Sequence, residues 1–456
     1  MLTCCTQLEG RRDLLELHEA APDRYPFLLE SVASGTPDAR YDMLFLASGG
    51  SLALPATASG SDAARFLSWL DQWTRRSIEE QQQVLGDERP HDLPFLGGWF
   101  LHLGYEVGRG IESVLEALPD ARTGFPQALA VRCPAALVFD HHEQQTYAVA
   151  ETPFLLARLE ADYRAPGPVP HDPDSTCALR EADAAPFLSA VDRVKSYILA
   201  GDVFQANISR AWEGPCVSTP SALYRRLRKT NPAPFAGLAV WGDSAIVSSS
   251  PERLVRIDGL DVQTRPIAGT FPRAAEPRAD EELKRQLLAH PKEQAEHVML
   301  IDLERNDLGR VCQPGSINVE QFMTTETYAR VHHLVSAVHG RLRPEVSPVD
   351  VIRAVFPGGT ITGCPKVRCM EIIGELEGVG RGPYTGSMGY LCRSGHMDVN
   401  ILIRSFHLSD QRLSLRAGAG IVADSQPTRE LEETRHKASG LLASLKPTSA
   451  NQSCAG

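Results

Sequence analysis

The sequence lacks long apolar runs and an excess of basic residues, and each absence excludes a class of partner. No run approaches the roughly 20 apolar residues that a membrane helix needs. The start, MLTCCTQLEGRRDLLELHEA, becomes charged too early to supply a signal-peptide core, so we expect a cytoplasmic protein with no membrane partner. The formal net charge of −11 offers no basic surface to phosphate backbones, and nucleic acid is not an expected partner.

Several short catalytic motifs are also absent. The 10 cysteines include no CxxC pair, which predicts reduced, unbridged cysteines and no zinc site. The sequence has no HExxH, no GxSxG elbow and no glycine-flanked cysteine of the glutaminase kind. GGTITGCPK (358–366) fails the phosphate-loop pattern, because Cys364 stands where lysine is required. The carboxylates are therefore the most informative candidate groups.

Composition and length indicate an ordinary globular protein with more than one core. Hydrophobic residues make up 43% of the 456 residues and charged residues 23%. The segment RAPGPVPHDPDST (164–176) holds four prolines and predicts a linker, placed at 164–178. It separates a domain over 1–163 from one over 179–447, followed by a disordered tail, 448–456. Strand-like segments, among them NILIRSF (400–406), and helix-like segments, among them residues 185–200 ending at Gly201, come in blocks, which predicts an α+β fold.

Two predicted helices carry pairs of glutamates. Pro291 suits the first position of a helix that places Glu293 and Glu296 three residues apart on one face. PTRELEETRHKASGLLASL (427–445) repeats the pattern with Glu430 and Glu433, and its Lys437 lies on the same face. Hard divalent cations prefer such oxygen ligands. The alternative, still open at this point, is a pair of solvated helix surfaces with an ordinary i,i+4 salt bridge.

Three further segments contain candidate catalytic or binding groups. Glu252 follows a proline at the end of a strand-like run and is either a general acid or a turn-capping residue. Gly269 and Thr270 predict a tight turn whose N–H groups could bind a carboxylate. In HHLVSAVHG, His333 is either functional or an ordinary core or surface histidine.

Taken together, these segments resemble the chorismate-binding enzymes, which include anthranilate synthase component I, aminodeoxychorismate synthase component I, and the isochorismate and salicylate synthases. Order and spacing both agree between residues 185 and 445. The matching stretches are GDVFQANISR (201–210), SSPERL (249–254), RPIAGT (265–270), EHVMLIDLERNDLGRV (296–311), VHHLVS (331–336), FPGGTITGCPKVRCMEII (356–373), YTGSMGY (384–390), MDVNILIR (397–404), AGAGIVADS (417–425) and EETRHKA (432–438).

The resemblance implies a fold, a cofactor and a role for each candidate. The fold would be two antiparallel β-sheets packed as a sandwich with surrounding helices. Mg²⁺ would bind Glu296 and Glu433 directly, with Glu293 and Glu430 supporting them, and would hold the ring carboxylate of chorismate. The other implied groups are Gly269, Thr270, Gly420 and Lys437 around that carboxylate, Tyr384 and Arg404 at the enolpyruvyl carboxylate, Glu252 as general acid, and Thr360 and His333 beside the ring.

Within the family, the sequence favours aminodeoxychorismate synthase component I. FPGGTITGCPK is similar to that enzyme's FPGGSITG form, MDVNILIR to its DxNIxIR pattern, and RYDMLFLA (40–47) replaces the RYSFIG of anthranilate synthase. Ala268 points the other way, because many aminodeoxychorismate synthases have a nucleophilic lysine there and alanine cannot act as one. A PIAGT variant of the enzyme accommodates this residue.

The resemblance also implies substrates and a partner. Chorismate and ammonia would give 4-amino-4-deoxychorismate, with ammonia supplied by a separate glutamine amidotransferase subunit, aminodeoxychorismate synthase component II. Anthranilate synthase component I is the enzymatic alternative, and a non-catalytic tryptophan-binding relative is the remote one. LLES (28–31) resembles part of the family's tryptophan pocket, and feedback regulation stays open.

Overall fold

The computed structural model describes residues 4–33, 39–85, 93–165, 167, 176–328 and 331–446. The predicted tail, 448–456, and most of the predicted linker lie outside these ranges. Short 3₁₀ turns occur at Tyr105–Gly110, Ser113–Ala117 and Gly359–Ile361. The α-helices are α1 Leu14–Ala20, α2 Gly60–Leu85, α3 Pro153–Arg164, α4 Ala184–Ala200, α5 Pro220–Thr230, α6 Pro277–Ala289, α7 Pro291–Gly309, α8 Pro348–Val355, α9 Lys366–Glu377 and α10 Pro427–Ser444. None of these helices is long and apolar enough to cross a membrane.

The strands of the described residues are all paired in antiparallel fashion. They are β1 Cys4–Leu8, β2 Phe27–Glu30, β3 Tyr41–Leu46, β4 Ser51–Leu54, β5 Gly98–Leu103, β6 Ala128–Cys133, β7 Ala135–Asp140, β8 Gln145–Ala150, β9 Thr176–Cys177, β10 Arg180–Glu181, β11 Gln205–Val217, β12 Phe235–Trp241, β13 Ser244–Ser250, β14 Arg253–Asp258, β15 Asp261–Thr264, β16 Ile267–Pro272, β17 Asn318–Thr327, β18 Val331–Arg341, β19 Gly363–Cys364, β20 Ser387–Cys392, β21 Met397–Asn400, β22 Ser405–Ser409 and β23 Arg412–Ile421.

Within the described residues these strands form two sheets. The larger runs in the order β1-β8-β7-β3-β2-β12-β13-β22-β23-β11-β10, with β9 and β19 also paired to β11. The smaller runs in the order β16-β18-β15-β14-β21-β20-β5-β6-β4, with β17 paired to β18. This confirms the expected α+β class with antiparallel sheets.

Alternating side chains on the strands build the core between the sheets. Phe27 and Phe45 of the larger sheet point towards the smaller one, and the Phe27 ring stacks on Phe100 of β5 at 3.9 Å between centroids. Their neighbours Leu28 and Leu44 point the other way and pack in a second core that includes residues of α1, α3, α5 and α10. Each fully buried side chain of this size contributes about 1.5–3 kcal/mol through removal from water. The two faces confirm the predicted sandwich with surrounding helices.

Local sequence signals for helix ends are confirmed. Pro291 is the first residue of α7. Helix α4 ends at Gly201, whose φ of 83° lies in the left-handed region that glycine adopts without a Cβ penalty.

The strand that the sequence predicts over residues 400–406 is wrong. The structure has β21 end at Asn400 and β22 begin at Ser405. Arg404 has a φ of 52°, a left-handed conformation that turns the chain between the two strands.

Both sheets contain strands from each side of the proline-rich segment. β2 pairs with β12 in the larger sheet, and β5 pairs with β20 in the smaller one. The two halves of the chain therefore share sheets and cores. The division at residues 164–178 stays a prediction about domains.

The prediction that the cysteines are unbridged is wrong for one pair. Cys177 on β9 and Cys216 on β11 are register partners and form a disulfide. The two residues are 39 positions apart, so their proximity depends on strand pairing rather than on any local spacing.

Candidate active site

A cavity of about 980 Å³ lies where β11 and β23 of the larger sheet meet β16 and β18 of the smaller sheet, α7 and α10. Its lining residues come from ten separate stretches of sequence, which together span more than 180 residues of the chain. The residues predicted from sequence that line it are Glu252, Gly269, Glu293, Glu296, His333, Thr360, Tyr384, Arg404, Gly420, Glu433 and Lys437.

Two predicted residues are placed differently. Glu430 is buried but does not line the cavity; burial raises its pKa, and a hydrogen bond with Ser425 opposes that rise. It lies close enough to Glu433 and Lys292 to interact with their charges. The backbone of Thr270 belongs to β16, but its side chain lies outside the described residues.

Glu296 of helix α7 lies close to other carboxylates. Burial raises the pKa of Glu296, and the carboxylates of Glu293 and Glu433 add to that rise. Gln205 on β11 donates a hydrogen bond from Nε2 to Glu296 Oε1 at 3.1 Å, which stabilises the charged form. A group of carboxylates held this close is stable only with protons or cations between them.

Helix α10 supplies a carboxylate and an ammonium group. Lys437 Nζ lies 2.6 Å from Glu433 Oε1 and donates a hydrogen bond to the carbonyl oxygen of Gly418 at 3.0 Å. Burial alone would raise the pKa of Glu433, but the Lys437 charge and hydrogen bond hold that pKa below its ordinary value. Glu433 is therefore ionised at neutral pH.

The donor set fits a hard cation only in combination with a ligand. Among the described residues, no three histidine, cysteine, aspartate or glutamate side chains lie close enough together to hold a metal ion by themselves. Magnesium typically takes one or two carboxylates and completes its octahedron with substrate oxygens and water. The glutamates of α7 and α10 match that requirement.

Glu252 lies between β13 and β14 with its side chain in the cavity wall. Its backbone is held at both ends, because Glu252 N–H donates to Ser250 Oγ at 3.2 Å and its carbonyl accepts from Ile401 N–H at 3.0 Å. Oε1 is buried and has no hydrogen-bond partner among the described residues. Burial raises the pKa of Glu252 to about 7, against smaller opposing effects of Thr360, Ile267 N–H and Lys437. A carboxyl of this kind holds a proton that it can donate near neutral pH.

His333 and Thr360 line the same cavity as Glu252. His333 Nδ1 lies 3.4 Å from the Gly269 carbonyl oxygen, and its ring contacts Tyr328 edge to face. Burial, together with the Arg404 charge, lowers the pKa of His333 to about 4, so the imidazole is neutral at pH 7. The Thr360 hydroxyl is buried and lies close enough to Glu252 to stabilise its charged form.

The wall that contains Tyr384 and Arg404 attracts anions. Arg404 forms no ion pair among the described residues, although Glu433 lies close enough to act on its charge. Burial lowers the pKa of this arginine. Left-handed backbone at Arg404 and at the buried Thr385, with φ of 52° and 62°, turns the chain beside both side chains. Such conformations cost about 1–3 kcal/mol each and persist where surrounding contacts enforce them.

Behind this wall lies a buried ion-pair network centred on Glu377. Its carboxylate accepts hydrogen bonds from Arg381, Arg416 and Ser209. Burial would raise the pKa of Glu377, but the two guanidinium groups lower it. The Arg381 guanidinium in turn lies 5.6 Å from the centre of the Tyr384 ring, so the network fixes that wall of the cavity.

Replacing Glu377 with alanine should lower the free energy of unfolding by about 3–5 kcal/mol, because two guanidinium groups in a buried setting lose the one carboxylate that pairs with them among the described residues. Urea denaturation measures the change. The matched control is Glu375→Ala on the same helix, where an exposed carboxylate accepts from the Tyr197 hydroxyl and should contribute less than about 1 kcal/mol. Equal losses for the two variants would contradict the buried-network interpretation.

Sequence reasoning missed several residues of the cavity wall. Gln205 and Asn207 line it from β11, and Arg416 lines it from β23. The signal was present in GDVFQANISR, where polar residues at 205, 207 and 209 alternate and so share one face of a strand. In sequence alone, that face could equally have met solvent.

A second cavity, of about 370 Å³, lies in the part of the sandwich where the N-terminal half contributes. Leu29, Glu30 and Ser31 of the LLES segment line it, together with Asn400 and Arg253. The segment that sequence analysis associated with a regulatory pocket therefore borders a cavity separate from the first one in its lining residues.

Comparison with known proteins shows where this architecture recurs. Residues 38–443 match the family model described as chorismate binding enzyme. Anthranilate synthase component 1 of Thermus thermophilus is 42% identical over 380 residues, which cover 81% of this chain and 82% of that protein. Aminodeoxychorismate synthase component 1 of Bacillus subtilis is 39% identical over 412 residues, which cover 86% and 87%.

A solved structure agrees with these matches. The crystal structure of anthranilate synthase component I from Streptococcus pneumoniae superposes with a TM-score of 0.77 at 30% identity, covering 90% of this chain and 93% of that one. The similarity therefore extends over most of both chains.

Proposed function

The chain belongs to the chorismate-binding enzyme family, and we propose that it is component I of an aminodeoxychorismate synthase. The enzyme converts chorismate and ammonia to 4-amino-4-deoxychorismate, the precursor of 4-aminobenzoate and folate. The observation that supports displacement of a ring hydroxyl is Glu252, a buried carboxyl with a pKa of about 7 in a cavity that also holds a carboxylate-rich wall and a cationic wall. The choice of product rests on the FPGGTITGCPK, MDVNILIR and RYDMLFLA segments.

The two charged walls match the two carboxylates of chorismate. The ring carboxylate faces α7 and α10, where Lys437 and the N–H groups near Gly269 and Gly420 surround it. The enolpyruvyl carboxylate faces Tyr384 and Arg404, since a guanidinium group binds a carboxylate through two parallel hydrogen bonds. With one carboxylate held at each wall, the ring would lie between Glu252 and His333.

A magnesium ion is part of the proposal. Glu296 and Glu433 would hold it directly, with Glu293 and Glu430 in support, and its charge would bind the ring carboxylate and neutralise the surrounding glutamates. The elevated pKa of Glu296 supports a cation at this wall, because each neighbouring carboxylate penalises its charged form.

The reaction needs a proton donor on the departing hydroxyl. The nitrogen of ammonia forms a bond to the ring while the ring C–O bond breaks. The hydroxyl takes the proton of Glu252 and leaves as water, and the added nitrogen then returns a proton to the Glu252 carboxylate. Ala268 lines the cavity where other members carry lysine, so nitrogen adds without an enzyme-bound intermediate.

Ammonia would come from a partner. The sequence has no glutaminase nucleophile motif, and the relatives named above are each called component 1. We therefore propose a glutamine amidotransferase subunit as the physiological partner.

The product distinguishes this proposal from its alternative. Purified protein is incubated with chorismate, a magnesium salt and an ammonium salt, and an aminodeoxychorismate lyase is then added. We expect 4-aminobenzoate that depends on the lyase, and no product with glutamine in place of ammonium. Direct formation of anthranilate, detected by fluorescence, would overturn the assignment, whereas no turnover at high ammonium would favour a binding protein.

Anthranilate synthase is the second candidate because of one residue. Ala268 lies within PIAGT, the form that anthranilate synthases carry, and the Thermus relative with that name is 42% identical. FPGGTITGCPK, MDVNILIR and the RYDMLFLA segment weigh against it. In the structure Asn400 of MDVNILIR is buried, accepts from Met388 N–H at 3.0 Å and donates to the Phe235 carbonyl at 3.1 Å.

A further inference from the structure

Strand β23 forms part of the cavity wall. Arg416, Gly418 and Gly420, which share one face of the strand, all line the cavity, and Ala417 also borders it. A Cβ at Gly418 would lie 2.5 Å from Asn207 Oδ1 and 2.9 Å from the Tyr384 hydroxyl, so only glycine fits there. Beside Arg416 the cavity wall is therefore formed by backbone without a side chain, and it lies next to Tyr384.

The Arg416 guanidinium is held in place but not neutralised. Nε and Nη2 donate to Ser209 Oγ at 3.1 and 2.9 Å, and Nη2 donates to Glu377 Oε2 at 2.7 Å. Arg381 binds the same Glu377 carboxylate through Nε and Nη2. One carboxylate thus faces two guanidinium groups, which leaves about one positive charge in excess at this wall.

The excess positive charge lies beside Tyr384, one of the residues proposed to bind the enolpyruvyl carboxylate. The Arg416 guanidinium carbon lies 6.0 Å from the centre of the Tyr384 ring. Arg416 Nη1 makes no hydrogen bond with the described residues, whereas the rest of the group is fixed. A rigid guanidinium with a free N–H edge in a cavity wall is suited to bind a carboxylate.

We propose that Arg416 is a further substrate-binding residue, which binds the enolpyruvyl carboxylate of chorismate together with Tyr384 and Arg404 and so selects dicarboxylates over monocarboxylates. The inference rests on the proposed function for the identity of the substrate. Glu377 and Ser209 act as positioning residues, because they fix two of the guanidinium nitrogens and leave the third for the ligand.

The test is a comparison of two ligands by isothermal titration calorimetry with magnesium and without ammonia. Chorismate carries both carboxylates, and benzoate carries only the ring carboxylate. For Arg416→Gln we expect the Kd of chorismate to rise about tenfold or more, because a charge-assisted hydrogen bond is lost, while the Kd of benzoate changes by less than about twofold. Arg412→Gln, the same charge change at the exposed start of β23, should alter neither Kd.

Two outcomes would overturn the proposal. An unchanged Kd for chorismate would remove Arg416 from the binding site, and an equal loss for both ligands would make its role structural. If Arg416→Gln fails to fold, Arg416→Lys gives the answer, since a retained charge without the planar fork should weaken chorismate but not benzoate. Because ammonia is absent, the result is independent of which product the enzyme forms.

Discussion

Replacing Glu252 with glutamine is expected to lower kcat by between about 100-fold and about 10,000-fold, the range that a positioned general acid contributes. The amide keeps the size of the side chain and its place between β13 and β14, but it has no acidic proton for the departing hydroxyl. The Kd of chorismate should change little, because neither proposed carboxylate site includes Glu252. Steady-state kinetics at saturating ammonium and calorimetry without ammonium measure the two quantities.

The pH dependence of the unmodified protein tests the same role. Burial raises the pKa of Glu252 from 4.5 to about 7, so the fraction that carries the proton falls as the pH rises through about 7. At constant free ammonia, kcat should therefore decline on the alkaline side of that pKa. A kcat that is independent of pH between about 6 and 9, or a Glu252→Gln variant with more than about a tenth of normal kcat, would exclude Glu252 as the acid.

Glu252 also links stability to pH, and glutamine should remove that link. A carboxyl whose folded pKa exceeds its unfolded pKa stabilises the protein at low pH, and that contribution is lost as the pH rises through the folded pKa. When the pH rises from about 5.5 to about 8.5, the free energy of unfolding of the unmodified protein should fall by roughly 2 kcal/mol relative to that of Glu252→Gln. Urea denaturation at the two pH values gives the difference, and this check does not depend on activity.

Replacing Glu433 with alanine should have the second largest effect, a loss of turnover of at least about 100-fold. The change removes the α10 carboxylate from the proposed magnesium site and leaves Lys437 without its partner at 2.6 Å. The affinity for the metal should therefore fall, and the ammonium group of Lys437 should lose its fixed orientation near the ring carboxylate. Magnesium binding in the presence of chorismate, measured by calorimetry, should weaken in parallel.

Glu432→Ala is the matched control for this variant. Glu432 precedes Glu433 on the same helix and borders the cavity, but it is exposed and pairs with Arg435. Its loss changes net charge by the same amount, and we expect nearly normal turnover and magnesium affinity, since exposed pairs contribute little. Normal turnover of Glu433→Ala would remove that glutamate from the site, and equal effects of the two variants would indicate a general effect of helix charge.

Sequence by itself determined the local elements and the list of reacting groups. Pro291 and Gly201 mark helix ends because their backbone preferences act within one or two residues. The glutamates of α7 and α10 were assigned to one face of each helix by a period of 3.6 residues. The ordered blocks between residues 185 and 445 then implied the family, which the comparisons show.

Only the tertiary structure decided which of these groups meet and what surrounds them. The Arg404 turn, the Cys177–Cys216 disulfide and the sharing of both sheets by the two halves of the chain depend on contacts between distant segments. The same holds for Arg416, whose charge excess arises from a glutamate 39 positions away that it shares with Arg381. Helical spacing alone treats Glu430 and Glu433 of α10 alike, but in the structure Glu433 lines the cavity and Glu430 is buried outside its lining. Burial and charge balance are sums over neighbours from the whole chain, and a local pattern contains none of them.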